Sequence, residues 1–185
     1  MIVRANNEKL SGFCNLLHDH AGSTAVEFAL ILPIMISIYL GTVEISNGWA
    51  AYRQVSLVTG AAASLVAKQS SITTSQMSDY LNASTAIMSP FTVTGITVTV
   101  SCISIASGKA TVSWSSTLNG TARAKGSTVS IPSAFSSKSK LVLSEVSYPY
   151  TSIVGYYIST SLPLSWSLYT SPRLTSAPSY NGTAC

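Results

Sequence analysis

The residues that could carry chemistry are few in this chain of 185 residues. Both histidines, His18 and His20, lie before residue 21. The acids that follow are widely separated in sequence: Glu27, Glu44, Asp79 and Glu145. A Ser–His pair, a histidine-ligated metal site and a pair of catalytic carboxylates therefore have no support in the sequence, and a Gly-rich phosphate loop is also missing. We predict no catalytic residue, no metal site and no cofactor, and hence a protein that is not an enzyme.

Glu27 is the acid with the most distinctive setting. It is the one charged residue in the apolar run 25–43, and it follows Gly22 by five residues at the end of a short polar leader. A helix over this run rises about 28 Å, close to the thickness of the hydrocarbon core of a bilayer. A carboxylate at the edge of a membrane segment is costly and usually has a partner. The pattern predicts one membrane helix whose acid has a partner.

The segment from Gly22 to Pro33, with the sequence Gly-Ser-Thr-Ala-Val-Glu-Phe-Ala-Leu-Ile-Leu-Pro, resembles the start of TadE-like minor pilins or pseudopilins of Tad (tight adherence, Flp-type) systems. The Gly-x4-Glu spacing also resembles the prepilin-peptidase site of type IV pilins. The resemblance implies cleavage between Gly22 and Ser23 and a role in assembly for Glu27, Phe28 and Pro33. It further implies that the acid offsets the α-amino group of a neighbouring subunit, since buried opposite charges are tolerable together and costly apart.

The resemblance also implies the partners and the location of the protein. The partners are prepilin peptidase, the inner membrane, and other major and minor pilin subunits through the N-terminal helix. The leader would be cytoplasmic, and the C-terminal domain would be periplasmic or in the extracellular pilus. Family members often carry Arg or Lys before the Gly, whereas this chain has His18-Asp19-His20-Ala21, which weakens the positive-inside pattern. An uncleaved anchor holding a monomeric adhesin or binding domain is the alternative.

The net charge bears on nucleic-acid binding, and the cysteine content bears on disulfide formation. The net charge of +4 comes from scattered residues without a basic cluster, so nucleic-acid binding is not expected. Cys14 precedes the proposed cleavage, which leaves Cys102 and Cys185 in the mature chain. In an exported domain these two favour one disulfide, which would close a loop of about 80 residues and stabilise the fold by about 3–4 kcal/mol on the chain-entropy model. Two unrelated thiols remain the alternative.

The sequence predicts three regions. Residues 1–22 form the leader, residues 23–69 a long helix with its membrane segment at about 25–43, and residues 70–185 an extracytoplasmic domain. Pro33 removes one backbone hydrogen bond from the helix, so a kink or local unwinding is expected there. Trp49 and Tyr52 suit either the membrane–water boundary or packing beneath the outer domain.

The outer domain shows a change of period. A capping-box pattern at Thr73–Gln76 predicts a short helix over about 75–88 that ends before Pro90. Alternating apolar residues then predict strands over 96–103, 110–114, 141–150 and 162–168, with a long surface connection over 116–139 and an edge strand at 128–131. The segments 146–150 and 169–173 also resemble the C-terminal half of TadE-like proteins. The predicted fold is α+β and pilin-like, with a long N-terminal helix, a short helix and an antiparallel sheet of about four strands.

Overall fold

The computed structural model describes residues 21–174 and 177–185. The chain divides into two compact units, Met1–Val43 and Glu44–Cys185. The leader was predicted for residues 1–22. Its first 20 residues, which include both histidines and Cys14, lie outside the described residues. The first described element is the long predicted helix, α1 (Ala21–Ala67), which contains Pro33 and ends two residues before the predicted boundary at 69.

The first unit presents an apolar helical surface to its surroundings. Ten of its large apolar side chains between Val26 and Tyr39 are 40% to 68% exposed, including Phe28 at 60% and Leu30 at 68%. The helix is long and apolar enough to cross a membrane, and only 6% of its most apolar window is buried within the molecule. A core helix of a soluble domain would bury this face, so exposure favours the membrane interpretation.

In the residues that the structure describes, the second unit adds one further α-helix and six strands to the C-terminal part of α1. In chain order the elements are β1 (Ser71–Ile72), α2 (Thr74–Thr85), a 3₁₀ turn (Ala86–Met88), β2 (Thr97–Ala106), β3 (Lys109–Leu118), a 3₁₀ turn (Ser133–Phe135), β4 (Lys140–Tyr150), β5 (Leu162–Thr170) and β6 (Ser179–Tyr180). Four strands form an antiparallel sheet in the order β3-β2-β4-β5, while β1 and β6 pair in parallel. The predicted α+β architecture is confirmed.

The sheet packs one face on α1 to form the main core. The buried residues of this core alternate along β2 and β4 and recur at helical spacing along α1, as expected for a half-buried strand and a helix with one apolar stripe. They include Val55, Val58, Ala62, Val98, Val100 and Val142. The opposite face of the sheet carries a smaller cluster, formed by Ile103, Ala110, Leu141 and Leu143.

The short helix begins as predicted. The Thr73 side chain accepts from the backbone of Gln76, and the Gln76 side chain accepts from the backbone of Thr73, so both halves of the capping box are present. The regular helix ends at Thr85 and continues as the 3₁₀ turn to Met88, a common tightening of a last helical turn.

The connection between β3 and β4 differs from its prediction in two respects. It begins after Leu118 rather than at residue 116, because β3 extends to Leu118. It forms no named strand at 128–131, where the pairing consists of a single bridge between Thr111 and Thr128. Val129 and Ile131 instead pack against the smaller core cluster. The alternation in sequence therefore reflected burial of apolar side chains under a connection rather than a full edge strand.

Candidate functional site

The residues at the predicted cleavage site lie together on α1. Gly22, Ser23 and Glu27 are all exposed, and the Ser23 hydroxyl donates to Oε1 of Glu27 over 3.4 Å. Residues four apart share one face of a helix, which explains this contact. Phe28 and Pro33 lie further along the same helix and are also exposed. The arrangement offers an accessible peptide bond, one carboxylate and an apolar surface for a membrane or for similar helices.

Glu44 is a second acid of structural importance, and the sequence analysis named it only among the widely separated acids. It is 1% exposed, and its carboxylate accepts from the backbone amides of Tyr156 (2.6 Å), Tyr157 (3.1 Å) and Ile158 (2.9 Å). Successive backbone N–H groups that converge in this way form an anion-binding nest. The contact holds the connection between β4 and β5 on α1.

The environment of Glu44 keeps it ionised. Burial alone raises the pKa of this carboxyl, but hydrogen bonds from the amides of Ile158, Tyr156 and Tyr157 and from the hydroxyl of Ser152 outweigh burial and lower the pKa below its ordinary value. The sequence offered one indication of this role, because Glu44 stands alone directly after the apolar run. Its backbone partners at residues 156–158 lie more than 110 residues away and show no local pattern that points to it.

Trp49 and Tyr52, for which the sequence allowed either the membrane–water boundary or packing beneath the outer domain, have different surroundings. The Tyr52 ring meets the Trp166 ring of β5 edge-on, with centroids 5.4 Å apart, so Tyr52 packs beneath the outer domain. The Trp49 ring contacts Tyr52 at 6.1 Å but is 70% exposed. Trp49 therefore remains available to the membrane–water boundary.

The structure brings the two predicted cysteines together. Cys102 of β2 and Cys185 form a disulfide, with their Cα atoms 5.6 Å apart and a sequence separation of 83. Cys102 is fully buried, and Cys185 is 9% exposed. The indole of Trp114 donates to the carbonyl of Pro178 over 3.0 Å, so the C-terminal segment is held to the sheet by a second contact.

A polar groove lies on the outer face of the sheet. The guanidinium of Arg123 donates twice to the carboxylate of Glu145, each time over 2.7 Å, and this hydrogen bonding is the main reason that the pKa of Arg123 is raised. Hydroxyl side chains line much of the groove, which has a volume of about 490 Å³: Thr97, Thr99, Thr121, Ser147, Ser165 and Ser167. Such a lining can exchange hydrogen bonds with a polar ligand. Among the described residues there is no group of three or more His, Cys, Asp or Glu side chains that could hold a metal ion.

The fold and the N-terminal surface together define a class of protein. An exposed apolar helix that leads into a small α+β domain with an antiparallel sheet is the architecture of a pilin-like, membrane-anchored subunit. A family model described as TadE-like protein matches residues 22–64. No curated protein and no solved structure matches the chain.

The match confirms the resemblance predicted from Gly22 to Pro33 and extends it to residue 64. It covers less than half of the chain and ends before α2, so the resemblance of segments 146–150 and 169–173 stays a prediction. The match shows likeness to the TadE-like family over these residues only.

Proposed function

We propose that this protein is a minor pilin or pseudopilin of a Tad-type pilus. Prepilin peptidase cleaves it between Gly22 and Ser23, and the mature subunit helps to initiate or stabilise the pilus and thereby supports adhesion. The observation that carries the proposal is an exposed Glu27 on an exposed apolar helix, five residues after Gly22 and inside the TadE-like match. After cleavage, Glu27 becomes the fifth residue of the mature chain.

The proposed mechanism is a transfer of the helix from lipid to protein. The apolar side chains of residues 25–43 are satisfied in a bilayer and equally in a bundle of similar helices, so extraction mainly exchanges lipid contacts for protein contacts. Glu27 supplies the register of the bundle, because only one axial offset brings it to the α-amino group of a neighbour. The leader is cytoplasmic in this proposal, and the outer domain is periplasmic or part of the extracellular pilus.

The cleavage site can be tested directly. N-terminal sequencing of the protein from cells that contain prepilin peptidase should give a chain that begins at Ser23, whereas cells without the peptidase should retain the uncleaved chain. Gly22→Leu should block cleavage, because a large side chain then stands beside the scissile bond. Thr42→Leu is the matched control, since it adds the same side chain to an exposed position of the same helix. An uncleaved N-terminus in cells with the peptidase would overturn the proposal.

The alternative function is a monomeric, membrane-anchored adhesin or binding domain. The observation in its favour is the hydroxyl-lined groove around Arg123 and Glu145, which could take a polar ligand. This alternative needs α1 only as a tether and predicts an intact leader. The same sequencing experiment therefore separates the two functions.

A further inference from the structure

The connection between β4 and β5 lies at one end of the outer domain. Its amides at residues 156–158 meet Glu44, the first residue of the second unit. Further along α1, Tyr52 meets Trp166 of β5, and Leu168 lies beside Gly60. Positions that are later in β5 thus contact positions that are later in α1. The connection that precedes β5 is therefore at the Glu44 end.

That end of the domain is joined to the proposed membrane segment by the peptide bond between residues 43 and 44. Glu44 directly follows residue 43, and one helical residue rises about 1.5 Å. The polar headgroup region adds about 5–7 Å on each side of the hydrocarbon core. A loop whose amides bind the Glu44 carboxylate is therefore held to the first residue that follows the segment proposed to span the bilayer.

The exposed side chains of this loop are apolar or aromatic. Ile153 is 81% exposed, Val154 40%, Tyr156 61% and Tyr157 56%. No charged residue occurs between Glu145 and Arg173 in the sequence. Contiguous apolar surface of this kind marks an interaction site, and tyrosine is enriched where a membrane meets water because its ring is apolar and its hydroxyl is polar.

Two side chains near the start of this part of α1 are also apolar or aromatic and exposed. Ile45 is 71% exposed and Trp49 is 70% exposed, and residues four apart lie on one face of a helix. The nearest acid, Glu44, is buried under the loop amides and so presents no charge at this end of the domain. Exposed apolar side chains beside a buried carboxylate suit contact with a lipid surface.

We propose that residues 151–158 form a membrane-contacting loop, in which Ile153, Val154, Tyr156 and Tyr157 rest in the headgroup region of the bilayer that α1 spans. The proposal rests on the membrane-anchoring part of the proposed function. The loop holds the outer domain at the bilayer before assembly, and Glu44 fixes the loop to the helix. Extraction of the subunit then removes the loop from lipid together with the helix.

The depth of the loop can be measured in the full chain reconstituted into phosphatidylcholine vesicles. Ile153→Cys in a Cys14→Ser background provides one thiol for the fluorophore NBD, because Cys102 and Cys185 are joined. Lys109→Cys, beside the turn between β2 and β3, is the matched control. Residue 109 is exposed, and because β2 runs antiparallel to β4, this turn lies at the opposite end of the sheet from the loop that follows β4. Lipids with a nitroxide near the headgroup should quench the label at residue 153 several-fold more than the label at 109, and aqueous iodide should do the reverse.

Three outcomes distinguish the possibilities. Equal quenching at residues 153 and 109 in chains that float with the vesicles would overturn the loop proposal and leave the anchor intact. Chains that do not float would instead overturn the proposed membrane anchoring. The label at residue 153 can also be measured in nanodiscs that hold one chain each. If its protection from aqueous iodide disappears there, a second copy covers the loop in vesicles, which also overturns the proposal. Tyr156→Cys repeats the measurement at a second loop position, and circular dichroism checks that each labelled chain is folded.

Discussion

Oε1 of Glu44 lies 2.6 Å from the backbone nitrogen of Tyr156, although 112 residues separate them in sequence. Through a buried charge, the contact joins the long helix to the loop between β4 and β5. A charge-assisted bond to backbone amides is stronger than a neutral one, and its loss leaves buried donors without an acceptor. Glu44 therefore has a structural role that is separate from the role proposed for Glu27.

Replacement of Glu44 should loosen the outer domain. Glu44→Gln keeps one acceptor oxygen for the amides of residues 156–158, whereas Glu44→Ala keeps none, so Ala should lower the unfolding midpoint more than Gln. Arg123→Gln is the control, because the partly exposed Arg123–Glu145 pair contributes only about 0.5–1 kcal/mol. Thermal unfolding followed by circular dichroism gives the order. A Glu44→Ala midpoint no lower than that of Arg123→Gln would contradict the structural role.

The stability of the outer domain should depend on pH through Glu44. Because the folded-state pKa is lower than the unfolded value of about 4.5, the unfolded chain binds more protons as the pH falls. The contribution of Glu44 is thus complete above pH 4.5 and is lost as the pH falls through the folded pKa. The pKa of the neighbouring Tyr150 is raised, mainly by burial, so this phenol stays neutral throughout the acidic range in which Glu44 titrates.

Thermal unfolding of the native chain and of Glu44→Gln at neutral pH and in steps below pH 4.5 measures this dependence. The difference between the two midpoints should shrink as the pH decreases, since both chains then carry a neutral group at position 44. Subtraction of the variant removes the effects of the other acids. A constant difference across the series would show that the charge of Glu44 does not stabilise the fold.

Loss of the disulfide should destabilise the domain. Cys102→Ala with Cys185→Ala should reduce the free energy of unfolding by about 2–5 kcal/mol, because the bridge closes a long loop in the unfolded chain. Urea unfolding of the variant and of the native chain measures the change, and Cys14→Ser serves as the control because Cys14 precedes the proposed cleavage. A thiol count on protein from the cell envelope checks the pairing. Two free thiols in the mature chain would refute it.

Glu27→Gln should reduce pilus assembly. In the proposed assembly the carboxylate meets the α-amino group of a neighbour, and breaking a buried ion pair costs about 3–5 kcal/mol. We expect at least about tenfold fewer surface pili by electron microscopy. Ser23→Ala is the matched control, since it removes the hydroxyl that contacts Glu27 but keeps the charge. Normal pili built from normally cleaved Glu27→Gln protein would rule out this role.

Local patterns in the sequence were enough to predict most of the individual elements. The apolar run over residues 25–43 predicted the first part of α1, and the Thr73–Gln76 box predicted the start of α2. Alternation of apolar residues predicted β2, β4 and β5, since a half-buried strand has a period of two. The TadE-like resemblance came from neighbouring residues, Gly22 to Pro33, for the same reason.

Contacts between distant segments were decided by the tertiary structure alone. Glu44 meets residues 156–158 because the sheet brings the loop to the helix, and no spacing in the sequence records that approach. The pairing of β1 with β6 joins two strands of two residues each, too short for any periodic pattern. Elements of this protein follow from local preferences that neighbouring residues express, whereas the nest around Glu44, the β1–β6 pair and the hydroxyl-lined groove arise only when packing places remote segments side by side.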